Sequence, residues 1–377
     1  VNKLAYQMVK YRQREGWTHL DVLRSIHPKV DGDRNDLFGW VAGKTSEAGL
    51  IIPDVPIVQS YLVAQAADKL SLPKATKQWT RLVQGSNGLP WEALPDRALK
   101  QKDVWAALLD KGMPQGALIR QLPRLTNLGL LDRMGGGYTE VVTGQLTNGE
   151  RLAKARIHPV SLLLSMKTYA SGASLNGKST WSPVSKVTDA LDAAYYASYP
   201  HVTPAGKRTL LALDISGSMG FTAGGLPISC REVTAAMSLV TMATEPAAAA
   251  YGFGHQFIPL DLSPRQRLDD AVRKISGLPF GSTDCSLPMF WAADNKVEVD
   301  TFVVYTDNET WAGRRGHPHE ALEHYRRWSG IPARLAVVAI TPTPFSIADP
   351  SDPGSMDVSG FDSAVPAMLA DFSRGDL

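Results

Sequence analysis

The stretch Leu210-Leu-Ala-Leu-Asp-Ile-Ser-Gly-Ser-Met219 constrains the fold of this chain more than any other. Leu210 to Leu213 is a short apolar run, the pattern of a buried strand. Asp214, Ser216 and Ser218 then place a carboxylate and two hydroxyls at alternate positions. Gly217 and Gly220 let the backbone turn sharply where the strand stops. Such a turn gathers oxygen donors on one side. Hard cations take oxygen ligands, and Mg²⁺ is satisfied by few carboxylates with water completing its shell. Two further pieces lie downstream. Gly281-Ser-Thr283-Asp offers a third hydroxyl in a turn, and Val303-Val-Tyr-Thr-Asp307 is another apolar strand ending in a carboxylate. In an open parallel sheet, ligands collect outside the carboxyl ends of the strands, so Asp214 and Asp307 can converge. The plainer reading is that Asp and Ser only cap the helix after the strand.

Strands and helices alternate around this stretch. Strand candidates are Leu210–Leu213, Ala249–Phe253, Thr301–Tyr305 and Arg334–Ala339. Helix candidates are Ser229–Ala243, Pro264–Ile275, Ser286–Ala293, Pro318–Trp328 and Phe361–Phe372. This is the doubly wound α/β pattern. A boundary rich in proline and glycine, Tyr199–Lys207, precedes it. Residues 1–200 read instead as short helices with breaks, among them Val55–Leu70, Lys74–Gln84, Gln115–Leu122 and Ser185–Ser198. Only Tyr138–Val142 suggests a strand there. Successive short helices point to a solenoid of divergent HEAT-like repeats. The expected domains are therefore 1–200, helical, and 201–377, α/β.

Near the start, Leu4, Met8 and Tyr11 mark one face of a first helix, with Lys3, Gln7, Lys10 and Arg14 along another. Thr18-His-Leu-Asp21 resembles a capping signature for a second helix. Lys10, Arg14, His19 and His27 thus belong to one helix–turn–helix corner.

The formal net charge of +2 conceals an asymmetry. Residues 1–200 carry 25 Lys and Arg against 17 Asp and Glu, whereas residues 201–377 carry 14 against 20. A basic half joined to an acidic half suits a polyanionic partner for the first half, although scattered solvated lysines give the same count. No apolar run approaches membrane-spanning length. The chain has two cysteines, Cys230 and Cys285, which suits a reducing cytoplasm rather than a disulfide framework.

Other motifs lack their context. Gly172-Ala-Ser-Leu-Asn-Gly177-Lys178-Ser179 matches a phosphate-binding string. That loop needs a strand before it and a helix directly after it, and here Val160–Tyr169 looks helical while Thr180–Pro183 is turn-like. His317-Pro-His319 with His324 has no partner set for zinc and reads as a helix start. Trp17, Trp40, Trp79, Trp91, Trp105 and Trp181 are expected to fill the core rather than stack bases. Nothing brings together a nucleophile, a base and oxyanion donors, so no enzyme is expected.

Asp214, Ser216, Ser218, Thr283 and Asp307 resemble the metal-ion-dependent adhesion site of von Willebrand factor A domains. The resemblance implies a Mg²⁺ ion faced by Ser216, Ser218 and Thr283, with Asp214 and Asp307 holding it directly or through water. A wider likeness covers nearly the whole chain. It rests on Lys10-Tyr-Arg-Gln-Arg14 running into Asp21-Val-Leu-Arg-Ser-Ile-His27-Pro, on Val104-Trp-Ala-Ala-Leu-Leu, on Ala155-Arg-Ile-His158-Pro, and on Pro204-Ala-Gly-Lys-Arg208 leading into Asp214. In these stretches the chain resembles the Ro 60 kDa autoantigen family in a bacterial form, a TROVE module of HEAT-like repeats followed by a von Willebrand A domain.

That resemblance implies a ribonucleoprotein component for non-coding RNA quality control. Y RNA would bind the outer surface of the helical ring, and single-stranded 3′ ends of misfolded RNA would thread its hole. Carried over, the RNA contacts are Lys10, Arg14 and His27. Polynucleotide phosphorylase is implied as a partner tethered through the RNA, with no role for DNA or membrane. Fewer helices precede Tyr199 than a full ring needs, so a partial ring is expected: either N-terminal repeats are missing or the ring is open. The rival reading is a metal-dependent protein-adhesion module without an RNA role.

Overall fold

A computed structural model describes the chain apart from residues 15, 30, 31, 33, 47, 48, 280, 282, 308–314 and 342–346 and the side chains of Arg14 and Ser46. The chain forms two compact units, Val1–Val142 and Thr143–Leu377.

In the first unit, α1 (Asn2–Lys10) buries Ala5, Met8 and Val9. It ends before the sequence suggests. Tyr11 leaves helical geometry at φ −114°, and β1 (Gln13–Arg14) pairs with β2 (Trp17–Thr18) across Gly16, whose φ is +83°. Arg14 therefore sits on a hairpin, not on the helix face that carries Lys10. The expected helix–turn–helix is a helix–hairpin–helix, because Gly16 supplies the left-handed residue a tight reversal needs. Helix α2 (His19–Ile26) opens as its spacing predicts. Thr18 Oγ1 accepts from the Asp21 amide at 3.2 Å, and Asp21 Oδ2 accepts from the Thr18 amide at 2.9 Å.

Helix α3 (Arg34–Val41), the small pair β3 (Thr45–Ser46) and β4 (Gly49–Leu50), α4 (Pro56–Ala67), α5 (Leu72–Gln84), α6 (Lys102–Lys111) and α7 (Gln115–Asn127) follow. Helix α4 packs on α1 and on α5, and α5 packs on α6. Helix α5 buries Ala75, Trp79 and Val83, one residue per turn at a spacing of four. Trp79 and Trp105 are fully buried, and each indole N–H donates to a backbone carbonyl at 2.9 Å, of Ala64 and Leu99 respectively. Tyr138–Val142 is not a strand; it begins α8 (Tyr138–Leu146). The β-branched residues there mislead, because burial of Val142 and Leu146 one turn apart overrides a weak local preference.

The second unit begins within α8 and continues with α9 (Gly149–Ala155), α10 (Pro159–Ser171) and α11 (Ser185–Ala197). A sheet follows, built from β5 (Arg208–Asp214), β6 (Ala247–Phe253), β7 (Phe257–Pro259), β8 (Thr301–Thr306), β9 (Arg334–Ala339) and β10 (Ser355–Ser359). Its strand order is β10-β9-β8-β5-β6-β7, parallel throughout except for β7 against β6. Helices α12 (Cys230–Thr244), α13 (Leu268–Ser276), α14 (Leu287–Asp294), α15 (Pro318–Ser329) and α16 (Val365–Arg374) are interleaved with these strands. Leu210, Ala212, Phe302, Val304, Leu335 and Val337 pack in one core with Met289 and Phe290 of α14 and Tyr325 of α15. The alternate residues Val303 and Tyr305 share a small cavity with Met237 and Val240 of α12 and Leu369 of α16. Burial on both faces is why the central strands read as unbroken apolar runs.

Candidate functional site

Strands β5 and β8 are parallel neighbours, with Leu213 opposite Tyr305. The chain leaves β5 for β6 on one side and returns to β8 on the other. The crevice at the carboxyl ends of β5 and β8 is thus a topological switch point. Asp214 closes β5, and Asp307 directly follows β8.

Asp214 is fully buried. Its Oδ1 accepts from the Ser216 amide at 2.7 Å, and its Oδ2 accepts from the Thr306 hydroxyl at 2.9 Å. The hydroxyls of Ser216 and Ser218 lie 3.0 Å apart. Thr283 is buried and Asp307 partly exposed. Burial pushes the Asp214 carboxyl up to about 6, and the charge of Asp307 pushes the same way, against the bonds from Ser216 and Thr306. Burial, helped by Asp307 and Asp214, raises the thiol of Cys230 to about 11. Both carboxylates therefore act on one small volume. Two acids and adjoining hydroxyls, held together at a cost in charge repulsion, are donor types that a hard divalent cation takes.

Surrounding residues fix this loop. Arg231 Nη2 donates to the Ser216 carbonyl at 2.9 Å. Ser229 and Glu232 form a capping box that starts α12. A side chain on Gly281 would meet His255 Nδ1, so the imidazole of this exposed histidine would have to turn aside to admit one. Thr306 and Arg231 are positioning residues that the motif itself does not name. Thr306 had a legible signal, a hydroxyl directly before the strand-end carboxylate; Arg231 had none.

The corner of the first unit is less open than its spacing suggests. The Lys10 side chain is only 14% exposed, its Nζ lies 4.0 Å from Glu92 Oε1, and it sits over the Tyr11 ring at 4.9 Å. Lys10 is thus held against its own protein. His27 is exposed; it closes α2 with φ +41°, its amide donating to Leu23 O at 3.1 Å. The side chain of Arg14 lies outside the described residues. Trp17, expected in the core, is 62% exposed on the hairpin. The string Gly172–Ser179 follows helix α10, with Gly172 as its left-handed cap and a bridge between Ala173 and Thr180, so the strand that a phosphate loop requires does not precede it. No described helix is long and apolar enough to cross a membrane.

Comparison with known proteins matches residues 208–373 to the Ro60 vWA domain and residues 86–168 to the TROVE domain. The chain is 40% identical, over its full length, to RNA-binding protein RO60 of Deinococcus radiodurans, 70% of which it covers. The chain belongs to the RO60 family. A second RO60, from Caenorhabditis elegans, is 35% identical, with all of this chain and 64% of that protein covered. The crystal structure of the Deinococcus radiodurans RO (RSR) protein superposes with a TM-score of 0.86 at 39% identity, covering 100% of this chain and 74% of that one. The RO60 architecture, a helical TROVE region followed by a vWA domain with a mixed central sheet, is the one described above.

Proposed function

We infer that this chain is an RNA-binding protein that acts as a ribonucleoprotein component. One observation carries the reading: the whole chain aligns at 40% identity with a protein named for RNA binding. The excess of Lys and Arg over residues 1–200 supports it, since cationic side chains supply sequence-independent affinity for phosphates. The RNA-facing residues in this reading are Lys10, Arg14 and His27. With Lys10 engaged by Glu92, the exposed His27 is the more available of the two described side chains. The finer proposal names Y RNA as the structured ligand, single-stranded RNA ends as a further one, polynucleotide phosphorylase as an RNA-tethered partner, and the cytoplasm as the location. Catalysis forms no part of it.

In the second unit, Asp214, Ser216, Ser218, Thr283 and Asp307 would hold a divalent cation, Mg²⁺ by the hardness of the donors. Such an ion offsets the repulsion between the two acids and pins the loop that carries them. The adhesion reading uses the same ion, with a partner carboxylate completing its shell, and needs no RNA.

Anisotropy titrations of a small structured RNA with the wild type and with Arg14→Glu separate the two. The RNA reading expects the charge reversal to weaken binding about ten-fold and to flatten its salt dependence. Equal affinity and equal salt slope for both proteins would favour adhesion.

A further inference from the structure

A cavity of about 400 Å³ opens in the first unit between α1, the hairpin, α2 and α3, lined in part by Met8, Arg12, Thr18, His19, Leu20 and Trp40. Its size falls at the lower end of the ~300–1,000 Å³ typical of small-ligand pockets. Three features coincide there. Met8 and Leu20 supply an apolar surface. The Arg12 guanidinium lies over two aromatic rings, 5.7 Å from the centre of Trp40 and 4.9 Å from that of Tyr61, and it donates to the Tyr61 hydroxyl. Its plane is thereby held in place. Finally, His19 is half-buried, and its Nε2, shielded from solvent, finds no hydrogen-bond partner among the described residues.

Leaving a buried imidazole nitrogen unpaired is costly, and such groups are few in folded proteins. His19 is the first residue of α2, directly after the Thr18 cap. A ligand atom would satisfy it. Flat aromatic and guanidinium surfaces, an apolar floor and one edge-reading heteroatom are the components that recognise an unstacked nucleobase. The exposed indole of Trp17, next in the chain to Thr18, offers a stacking face for a neighbouring base.

We propose that this cavity takes one unstacked base of single-stranded RNA, stacked against Trp40 and Arg12 with its edge on His19 Nε2. The proposal rests on the RNA-binding reading and adds to it a base-reading site distinct from the phosphate contacts at Arg14 and His27.

The test uses a single-stranded RNA of about ten nucleotides carrying 2-aminopurine at its centre. The wild type is expected to bind this probe and quench its fluorescence, as stacking requires. His19→Phe, which removes the edge-reading nitrogen, and Trp40→Leu, which removes the stacking face, should each weaken binding about five-fold or more, and Trp40→Leu should abolish the quenching. Neither should change the salt slope, because no phosphate contact is lost. His19→Gln, which retains a hydrogen-bonding edge, should keep most of the affinity. Circular dichroism checks folding; if Trp40→Leu does not fold, the wild-type quenching and the two His19 variants decide. Binding without quenching, or His19→Phe binding as the wild type does, overturns the base site and leaves the RNA-binding reading intact. Binding of a structured RNA but not of this probe has the same meaning. If the wild type binds neither RNA, the RNA-binding reading falls and takes the base site with it.

Discussion

Lys167 Nζ on α10 lies 2.6 Å from Glu232 Oε1 at the start of α12. Glu232 also closes the capping box with Ser229, immediately after the loop that carries Ser216 and Ser218. Burial pushes the Glu232 carboxyl up, but its bonds to Lys167 and Ser229 outweigh that and hold it below the usual range. One ion pair thus joins the helices before the sheet to the helix that frames the candidate metal loop. Both side chains are about one-quarter exposed, which limits its worth to about 1 kcal/mol. Lys167→Met should lower the unfolding free energy by about that amount in urea. A double-mutant cycle with Glu232→Gln should return a coupling of the same size, and a coupling of zero would show the contact to be incidental.

Asp214 would link the proposed metal binding to stability. Its folded-state value, about 6, lies above the ~3.9 of an unfolded aspartate. A raised value means that the stability this group contributes is full below pH ~4 and is lost as pH rises through about 6. At neutral pH the metal-free protein therefore carries a penalty of about 3 kcal/mol, an upper figure for so buried a group. Asp214→Asn should raise the melting temperature of the metal-free protein at pH 7.5. Mg²⁺ should raise that of the wild type and leave the Asn variant unmoved, as differential scanning fluorimetry will show.

His158 works in the opposite direction. It caps α10, with Nδ1 accepting from the Val160 amide at 3.2 Å, which needs the neutral ring. Burial holds its value down at about 4, below the ~6.5 of a free histidine. Stability from this group is full above pH ~6.5 and is lost as pH falls toward about 4. The loss reaches up to about 3 kcal/mol. Denaturant unfolding between pH 7.5 and 4.5 should show it, and His158→Asn, which keeps a cap acceptor, should flatten that part of the curve.

The buried Trp79 is a load on the helical core. Trp79→Ala removes a fully buried indole and strands the Ala64 carbonyl, at a cost of about 3–5 kcal/mol. Chemical unfolding measures this, and a cost under 1 kcal/mol would mean that α4 and α5 repack freely.

How far the sequence could be read depended on what each residue answers to. The central strands were legible because burial on both faces leaves an apolar run, as in Leu210–Leu213 and Thr301–Tyr305. The edge strands β7 and β10 were not. Phe257–Pro259 is too short to show a pattern, and of Ser355–Ser359 only Val358 is buried. The capping box at Thr18 was legible because it is local, but the hairpin just before it was not, since Gly16 could equally end a helix. Asp214 and Asp307 could be brought together from the chain-end rule for parallel sheets. The ion pair of Lys10 with Glu92 could not, because it depends on residues 82 positions apart meeting in space.

The account stands or falls on RNA. The most direct measurement is the wild-type affinity for a small structured RNA across a range of salt concentrations. If Lys and Arg of the first unit grip four to six phosphates, log K should fall against log [salt] with a slope of about −3 to −5. An absence of binding at low salt, or an affinity indifferent to salt, would contradict the account at its root.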